Sequence, residues 1–347
     1  MNFIYKNTLL LMSIIIFSVN SFAKSSSNLE NRSEKLAVII LAAGNSTRMK
    51  SSTSKIFHQI SAKPIIKYVL DLAKSLNPEK IIIVTKSDLA SALRVIDSTC
   101  EIAIQEKPQG TGDAAREAMN KLKKFEGRIL VLYGDTPLIT KDTIENMLSH
   151  LSKSQLVVLG FEGEEGAEYG RLIVNQGGYL ERIVEHKDAT KEERKIRLYN
   201  SGVIAATSSV FHNLLDKITN NNAKGEYYLT DLIELSNKNG FKVLFVPGLS
   251  EEVLGVNNRE ELARVELISQ QRMRRKFMLE GVTLVDPDTT FFSFDTKIGK
   301  DVTIHPFVIL GPCVTIEDNA EIKSFSHIEN THVKSGSVIP HFSIIKN

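Results

Sequence analysis

The sequence predicts an α/β fold in two parts: a mostly parallel, doubly wound sheet, then a short parallel β-helix. Three observations carry this reading. From Leu36 to about Asn258, apolar runs alternate with segments of helical stagger, the pattern of strand–helix units that build a parallel sheet. The first run, Leu36 to Leu41, is free of charge and leads straight into Ala42-Ala43-Gly44, a turn of small residues. After Gly281 apolar residues recur every six positions, a spacing given by a parallel β-helix and by neither helices nor alternating strands.

The elements follow in order. In residues 1–35, Lys6 precedes an apolar run from Leu9 to Val19, and Ser21-Phe22-Ala23 has the small-x-small form of a cleavage site. This is the grammar of a secretory signal peptide, and the run is short for a membrane span. The polar stretch Lys24 to Lys35 reads as a flexible linker. Strands are expected at Leu36–Leu41, Lys80–Thr85, Ile129–Tyr133, Leu156–Gly160 and Lys242–Val246, and helices at Ile65–Ser75, Asp113–Lys123, Lys141–Ser152 and Ser209–Ile218. Pro64 opens the first helix and Asn77-Pro78 closes it. Arg259 to Glu280 reads as one long connecting helix, its far end made basic by Arg272, Arg274, Arg275 and Lys276. Beyond it, Ile298, Ile304, Leu310, Ile316, Ile322 and Ile328 form one six-residue series, and Val302, Val308, Val314 and Ala320 a second. Three hexads close one coil, so the tail is expected to hold little more than two coils. The expected division is a signal-like extension (1–35), a sheet domain (36–258), a connecting helix (259–280) and a β-helix (281–347).

Composition narrows the function. Hydrophobic residues at 42% and charged residues at 24% are ordinary for a soluble globular chain. A net charge of +2 argues neither for nucleic acid nor for an anionic membrane surface as partner. Cys100 and Cys313 lie far apart in no metal-ligand spacing, which indicates neither a disulfide framework nor a zinc site.

The opening loop carries the chemistry. Small residues at Ala42, Ala43 and Gly44 let a ligand lie on the backbone, whose N–H groups can cradle phosphate oxygens. Arg48 and Lys55 add two positive charges just beyond. Strand, small-residue turn, Arg and Lys together point to a nucleoside triphosphate. Asp135, in Tyr133-Gly134-Asp135, ends a buried strand, where a carboxylate is costly unless it meets a cation or donor. Mg2+ suits it, since that ion takes one or two protein oxygens and fills the rest with phosphates and water.

The stretch Leu41-Ala42-Ala43-Gly44-Asn45-Ser46-Thr47-Arg48-Met49 resembles the signature of sugar-phosphate nucleotidyltransferases, usually Leu-Ala-Ala-Gly-x-Gly-Thr-Arg-Met. Six further segments are similar, in order, to one member family, the bifunctional UDP-N-acetylglucosamine pyrophosphorylase/glucosamine-1-phosphate acetyltransferases. They are Gln109 to Ala114, Leu132 to Asp135, Tyr169-Gly170-Arg171, Ile183 to Asp188, Asn221 to Asp231, and Gly255 to Arg259. The resemblance implies a Rossmann-like nucleotidyltransferase domain with a left-handed β-helix. It implies an enzyme that forms UDP-N-acetylglucosamine and pyrophosphate from UTP and N-acetylglucosamine 1-phosphate with Mg2+. It assigns Arg48 to the departing pyrophosphate and Lys55 to the α-phosphate as the catalytic cations. Asp135 and Asn257 become the metal ligands. Leu41 to Gly44, Gln105, Gly110 and Thr111 go to the uracil nucleotide, with Tyr133 and Gly134 in the same binding motif. Gly170, Glu185, Asn200 and Asn257 go to the sugar. His186 and Lys187 are expected at the surface of a polar loop.

The chain departs from that pattern in places. Ser46 stands where the family has glycine and Ser54 where it has proline; a serine forced to positive φ would strain the loop. The tail is short, and His305, His327, His332 and His341 do not match the family's acetyltransferase histidine, so acetyl transfer is not expected. A homotrimer through the β-helix follows from the resemblance, weakened by the short tail. The need for UTP argues for the cytoplasm, against the export or membrane tethering that residues 1–23 suggest. Two other readings stay open: a transferase for another sugar 1-phosphate, and a degenerate sugar-nucleotide-binding protein.

Overall fold

The structure, a computed structural model, describes residues 35–164 and 167–346. The signal-like segment and nearly all of the linker lie outside the described residues. Nine strands form the main sheet: β1 (Leu36–Leu41), β2 (Lys80–Thr85), β3 (Glu101–Ile104), β4 (Arg128–Tyr133), β5 (Leu156–Glu162), β6 (Arg171–Val174), β7 (Leu180–Val184), β8 (Leu198–Thr207) and β9 (Val243–Gly248). The order is β9-β5-β8-β4-β1-β2-β3, with β6 and β7 paired at the side of β8. β1 lies parallel between β4 and β2, and all six of its residues are buried.

Burial on both faces is why β1 reads as a continuous apolar run. Ala37, Ile39 and Leu41 join the core beneath helix α3 (Thr111–Met119), built on Ala114, Ala115 and Ala118. Val38 and Ile40 face the opposite core, filled by Ile66, Val69 and Leu70 of α1 (Ile65–Ser75) and Ile144, Met147 and Leu148 of α4 (Lys141–Ser149). Helix α2 (Ser87–Ile96) lies between β2 and β3 in sequence.

The antiparallel β8 departs from the expected pattern. It inserts between β4 and β5, and its register slips between Asn200 and Ile204. The bulge re-aims the strand. At Gly202, φ is +90° and an added Cβ would lie 2.6 Å from the Tyr133 ring, so only glycine lets that tyrosine pass. Helix bounds differ in several places: the helix expected over Lys141–Ser152 ends at Ser149, with His150–Ser152 a 3-10 turn. α3 starts at Thr111 because Gly110, at φ +114°, caps it. The segment expected as Ser209–Ile218 splits into α5 (Ser208–Leu214) and a 3-10 turn, Leu215–Lys217. Helix α6 (Asp231–Lys238) packs beside β7.

Helix α7 (Arg259–Leu279) leads to the left-handed parallel β-helix. Eleven short strands stack in three sheets of four, four and three among the described residues. Regular rungs pair Thr303 with Glu321 and Ile309 with His327. Three rungs are complete and a fourth is entered, more than the two coils expected. The first rung was hidden because a 3-10 turn, Pro287–Thr289, breaks its hexad spacing. The last was hidden because Ile328 and Val333, both inward, are five residues apart rather than six. At the corners Asp301, Phe307, Cys313, Asn319 and Phe325 take left-handed φ of 57° to 63° at six-residue intervals. α7 joins the two parts: the Gln270 amide exchanges hydrogen bonds with the Phe292 backbone, and the Arg274 guanidinium donates to the Thr290 carbonyl. Among the described residues no helix is long and apolar enough to cross a membrane.

Candidate active site

A cavity of 520 Å³ opens beyond the carboxyl ends of β1, β3 and β4, where ligands sit in open α/β sheets. Leu41, Ala42, Ala43 and Gly44 line its floor. The Ala42 N–H bonds the Val84 carbonyl at 2.8 Å, and the Gly134 N–H bonds the Leu41 carbonyl at 2.9 Å. These bonds pin the turn to both neighbouring strands. A Cβ added at Gly44 would meet no atom within 4 Å, so open cavity lies directly over that backbone. A Cβ at Gly134 would press on Ala42 and Ile66 at 3.1 Å. Gly134 thus serves close packing of the strand ends and does not line the cavity.

The expected strain at position 46 does not occur. Ser46 has φ −90° and ψ 28°, a backbone open to any residue. Ser54, at φ −59° and ψ 142°, holds the backbone a proline would set. Arg48 projects from a 3-10 turn, Thr47–Met49, anchored by the fully buried Met49. Arg48 lines the cavity and makes no ion pair among the described residues. Lys86 donates to the Asn45 side chain at the rim.

Lys55, Asp135 and Asn257 converge on one point. The Lys55 ammonium bonds the Asp135 carboxylate and lies 2.8 Å from Asn257 Oδ1. Asp135 and Asn257 come from distant parts of the chain, and the Val256 N–H bond to the Asp135 carbonyl at 2.9 Å sets them side by side. The N-terminus of α7 then fixes Asn257. Asn258, the N-cap of α7, accepts from the Glu261 N–H at 2.8 Å, and the Glu261 carboxylate accepts from the Asn257 N–H at 2.6 Å.

The facing wall joins two motifs. The Gly112 N–H bonds the Tyr227 carbonyl at 2.7 Å, the Tyr227 N–H bonds the Gln109 carbonyl at 2.8 Å, and Thr111 Oγ1 accepts from the Leu229 N–H at 3.0 Å. A Cβ at Gly110 would fall 2.4 Å from the Tyr227 carbonyl oxygen, so the contact requires glycine. Gln105, buried, donates its amide N–H groups to the Gly110 carbonyl and, at 2.7 Å, to Asp113. Its amide oxygen has no hydrogen bond to a donor among the described residues.

Tyr133 lines the cavity; Gly170, Glu185 and Asn200 do not, but they lie close to one another, a Cβ at Gly170 falling 3.5 Å from the Glu185 carboxylate. The Asn200 N–H bonds the Gly170 carbonyl at 2.8 Å, and the Asn200 side chain accepts from Gly202. The Glu185 carboxylate accepts from the Thr230 hydroxyl at 3.2 Å. Burial pushes the Glu185 carboxyl up, with Thr230 and the Lys224 charge pulling it back. Burial also pushes the Tyr133 phenol up, reinforced by the Glu185 charge. Asp231 is raised to about 6 by burial and then by Glu234, Glu185 and Asp188.

Several site features were not singled out from the sequence. Lys224 and Glu226 line the cavity; the Gly225-Glu226-Tyr227 run was noted only as part of a motif. His186 is not a plain surface residue, since its Nδ1 lies 2.7 Å from the guanidinium of Arg171, which is fully buried.

Comparison with known proteins agrees with this geometry. Residues 38–225 match the MobA-like NTP transferase domain, and residues 295–330 match the bacterial transferase hexapeptide (six repeats). The chain is 45% identical over 307 residues to the bifunctional protein GlmU of Paramagnetospirillum magneticum, covering 88% of this chain and 68% of that one. It is 43% identical to the bifunctional protein GlmU of Hyphomonas neptunium, covering 86% and 66%. For that of Paracoccus denitrificans the identity is 42%, covering 90% and 70%. The chain spans about two thirds of these relatives' length. With a nucleotide-sized cavity over a glycine turn, a sheet of the matching kind and a hexapeptide β-helix behind it, the chain belongs to the bifunctional GlmU family and is a nucleotidyltransferase.

Proposed function

We propose that this protein transfers uridylyl from UTP to N-acetylglucosamine 1-phosphate, releasing pyrophosphate and forming UDP-N-acetylglucosamine. The convergence of Lys55, Asp135 and Asn257 at the edge of the cavity carries this reading. The reaction is an in-line displacement at the α-phosphorus between two polyanions. The protein's tasks are therefore to neutralise charge, align the partners and exclude misplaced approach, with little acid–base work.

The donor set fits Mg2+. One carboxylate oxygen and one amide oxygen point at a spot that already accepts a cation, the Lys55 ammonium, and hard oxygen donors of this number suit a metal shared with phosphates. Asp135 and Asn257 would hold the ion, which when bound would supply neutralisation of phosphate charge. Lys55 binds the α-phosphate and Arg48 the departing pyrophosphate, the guanidinium as a planar fork and the ammonium as a compact charge. Leu41 to Gly44 and Gly110-Thr111 seat the nucleotide on bare backbone, and the Gln105 amide oxygen accepts from the uracil imide. Gly170, Glu185 and Asn200 bind the sugar.

Uridylyl transfer is the whole of the proposed activity. His305, His327 and His332 sit partly exposed on the β-helix, each with its Nε2 about 2.7–2.8 Å from a glutamate, Glu321, Glu329 and Glu317, contacts that suit a surface role rather than acetyl transfer. The reaction belongs in the cytoplasm, where UTP is available, and the β-helix associates in a homotrimer. The test is pyrophosphate release by the purified protein given UTP, Mg2+ and a panel of sugar 1-phosphates. Preference for another sugar 1-phosphate replaces the substrate assignment, and acetylation of glucosamine 1-phosphate by acetyl-CoA overturns the single-activity reading.

A further inference from the structure

We propose that Ser46 is a positioning residue for Lys55, its hydroxyl clasping together the two turns that carry the phosphate-binding cations. The inference rests on the uridylyl-transfer reading for the role of Lys55, and on hydrogen bonds for the rest. Lys55 opens a 3-10 turn, Lys55–Phe57, and its N-cap residue Ser54 makes no side-chain cap. The first N–H groups of a helical turn lack partners within it. Here the Lys55 N–H donates to Ser46 Oγ at 3.0 Å, from nine residues away in the chain. The same hydroxyl lies 3.4 Å from the Ser54 hydroxyl. The Ser46 carbonyl accepts from the Met49 N–H at 3.1 Å, closing the turn on which Arg48 stands.

One residue thus ties both cations. Through its carbonyl Ser46 shapes the Arg48 turn, and through its hydroxyl it caps the Lys55 turn. Lys55 in turn delivers its ammonium to Asp135 and Asn257. Position 46 is glycine and position 54 proline in the related pattern. Glycine supplies no hydroxyl, whereas proline fixes φ near −65° on its own. Ser54 reaches φ −59° without a ring, so the serine pair replaces ring stiffness with a hydrogen-bonded bridge. The two departures are then one coupled solution.

The test is a set of kinetic cycles on the full chain, with UTP and sugar 1-phosphate varied separately. Removing one hydrogen bond that orients a reacting group predicts that Ser46→Ala lowers kcat/KM for UTP roughly threefold to tenfold, chiefly in kcat. KM for the sugar phosphate stays unchanged, and Ser46→Thr, which keeps the hydroxyl, retains wild-type kinetics. In a Lys55→Ala background the Ser46→Ala change has no further effect, because a residue acting only through another shows full coupling to it. Ser46→Gly loses activity and Ser46→Gly/Ser54→Pro recovers it, which keeps the test readable where Ser46→Ala lowers thermal stability. Activity of Ser46→Ala within twofold of wild type, an equal loss with and without Lys55, or no recovery in the double variant overturns the clasp. Absence of pyrophosphate release by the unaltered protein overturns the reading of the reaction instead, and the coupling is then judged from UTP affinity in the same proteins.

Discussion

Asp135 and Lys55 form an ion pair at the cavity edge with side chains only 15% and 14% exposed, and Asn257 completes the group with a neutral oxygen. Charge decides their ranking. Asp135→Ala removes the carboxylate that pairs with Lys55 and should abolish turnover while the fold survives. Asn257→Ala removes a weaker ligand and should raise the Mg2+ concentration for half-maximal rate with a smaller loss of activity. Mg2+ titration of both variants checks this; full turnover by Asp135→Ala removes the metal assignment. Gly110 gives a steric prediction at the same scale. An added Cβ would sit 2.4 Å from the Tyr227 carbonyl at φ +114°, so Gly110→Ala should open the nucleotide wall and raise KM for UTP, measured by initial rates. Residues such as Arg48, Lys55 and Asp135 were legible because charged groups flanking a charge-free strand have few structural uses. Lys224 and the Arg171–His186 contact were not, since a cation in a polar loop reads the same whether it faces solvent or a cavity.

At the scale of elements, α1 and α2 meet through an ion pair whose carboxylate is buried and whose ammonium is partly exposed. Asp97, just past α2, is buried and pairs with Lys74 of α1 and with Thr99. Burial pushes its carboxyl up, but Lys74 and the Thr99 donors outweigh this and hold it down at about 2. A depressed carboxylate stabilises the fold above its unfolded pKa, near 4, and that contribution is lost as pH falls through the folded value, near 2. Asp97→Asn should therefore lower stability at pH 7, with the difference from wild type shrinking between pH 4 and pH 2. Urea unfolding across that range measures it, and a pH-independent difference contradicts the assignment. Strands β1 and β2 were read from sequence to the residue because both faces of each are covered. β8 was not, because Asn200, Ser201 and Gly202 interrupt its apolar run at the bulge that aims them. β6 and β7 were missed for a related reason, being short and carrying charges such as Arg171, Glu181 and Arg182.

Over the whole molecule, the hexad period disclosed the β-helix but undercounted its rungs where a 3-10 turn and a five-residue step break the repeat. The outer face carries an unusual feature. Phe307, Phe325 and Phe342 stack in a ladder at centroid spacings of 5.0 and 5.2 Å, each at least half exposed. Contiguous exposed aromatics of this kind mark association surfaces. The proposed homotrimer should sediment at three times the chain mass, and Phe325→Glu should shift it toward monomer; a monomeric wild type contradicts that arrangement. The reaction itself is tested by the rate of pyrophosphate release from UTP by the purified protein with Mg2+, with and without N-acetylglucosamine 1-phosphate. Release should require both the metal and the sugar phosphate, with UDP-N-acetylglucosamine formed in equal amount. No release with any sugar 1-phosphate, at saturating UTP and Mg2+, would contradict it.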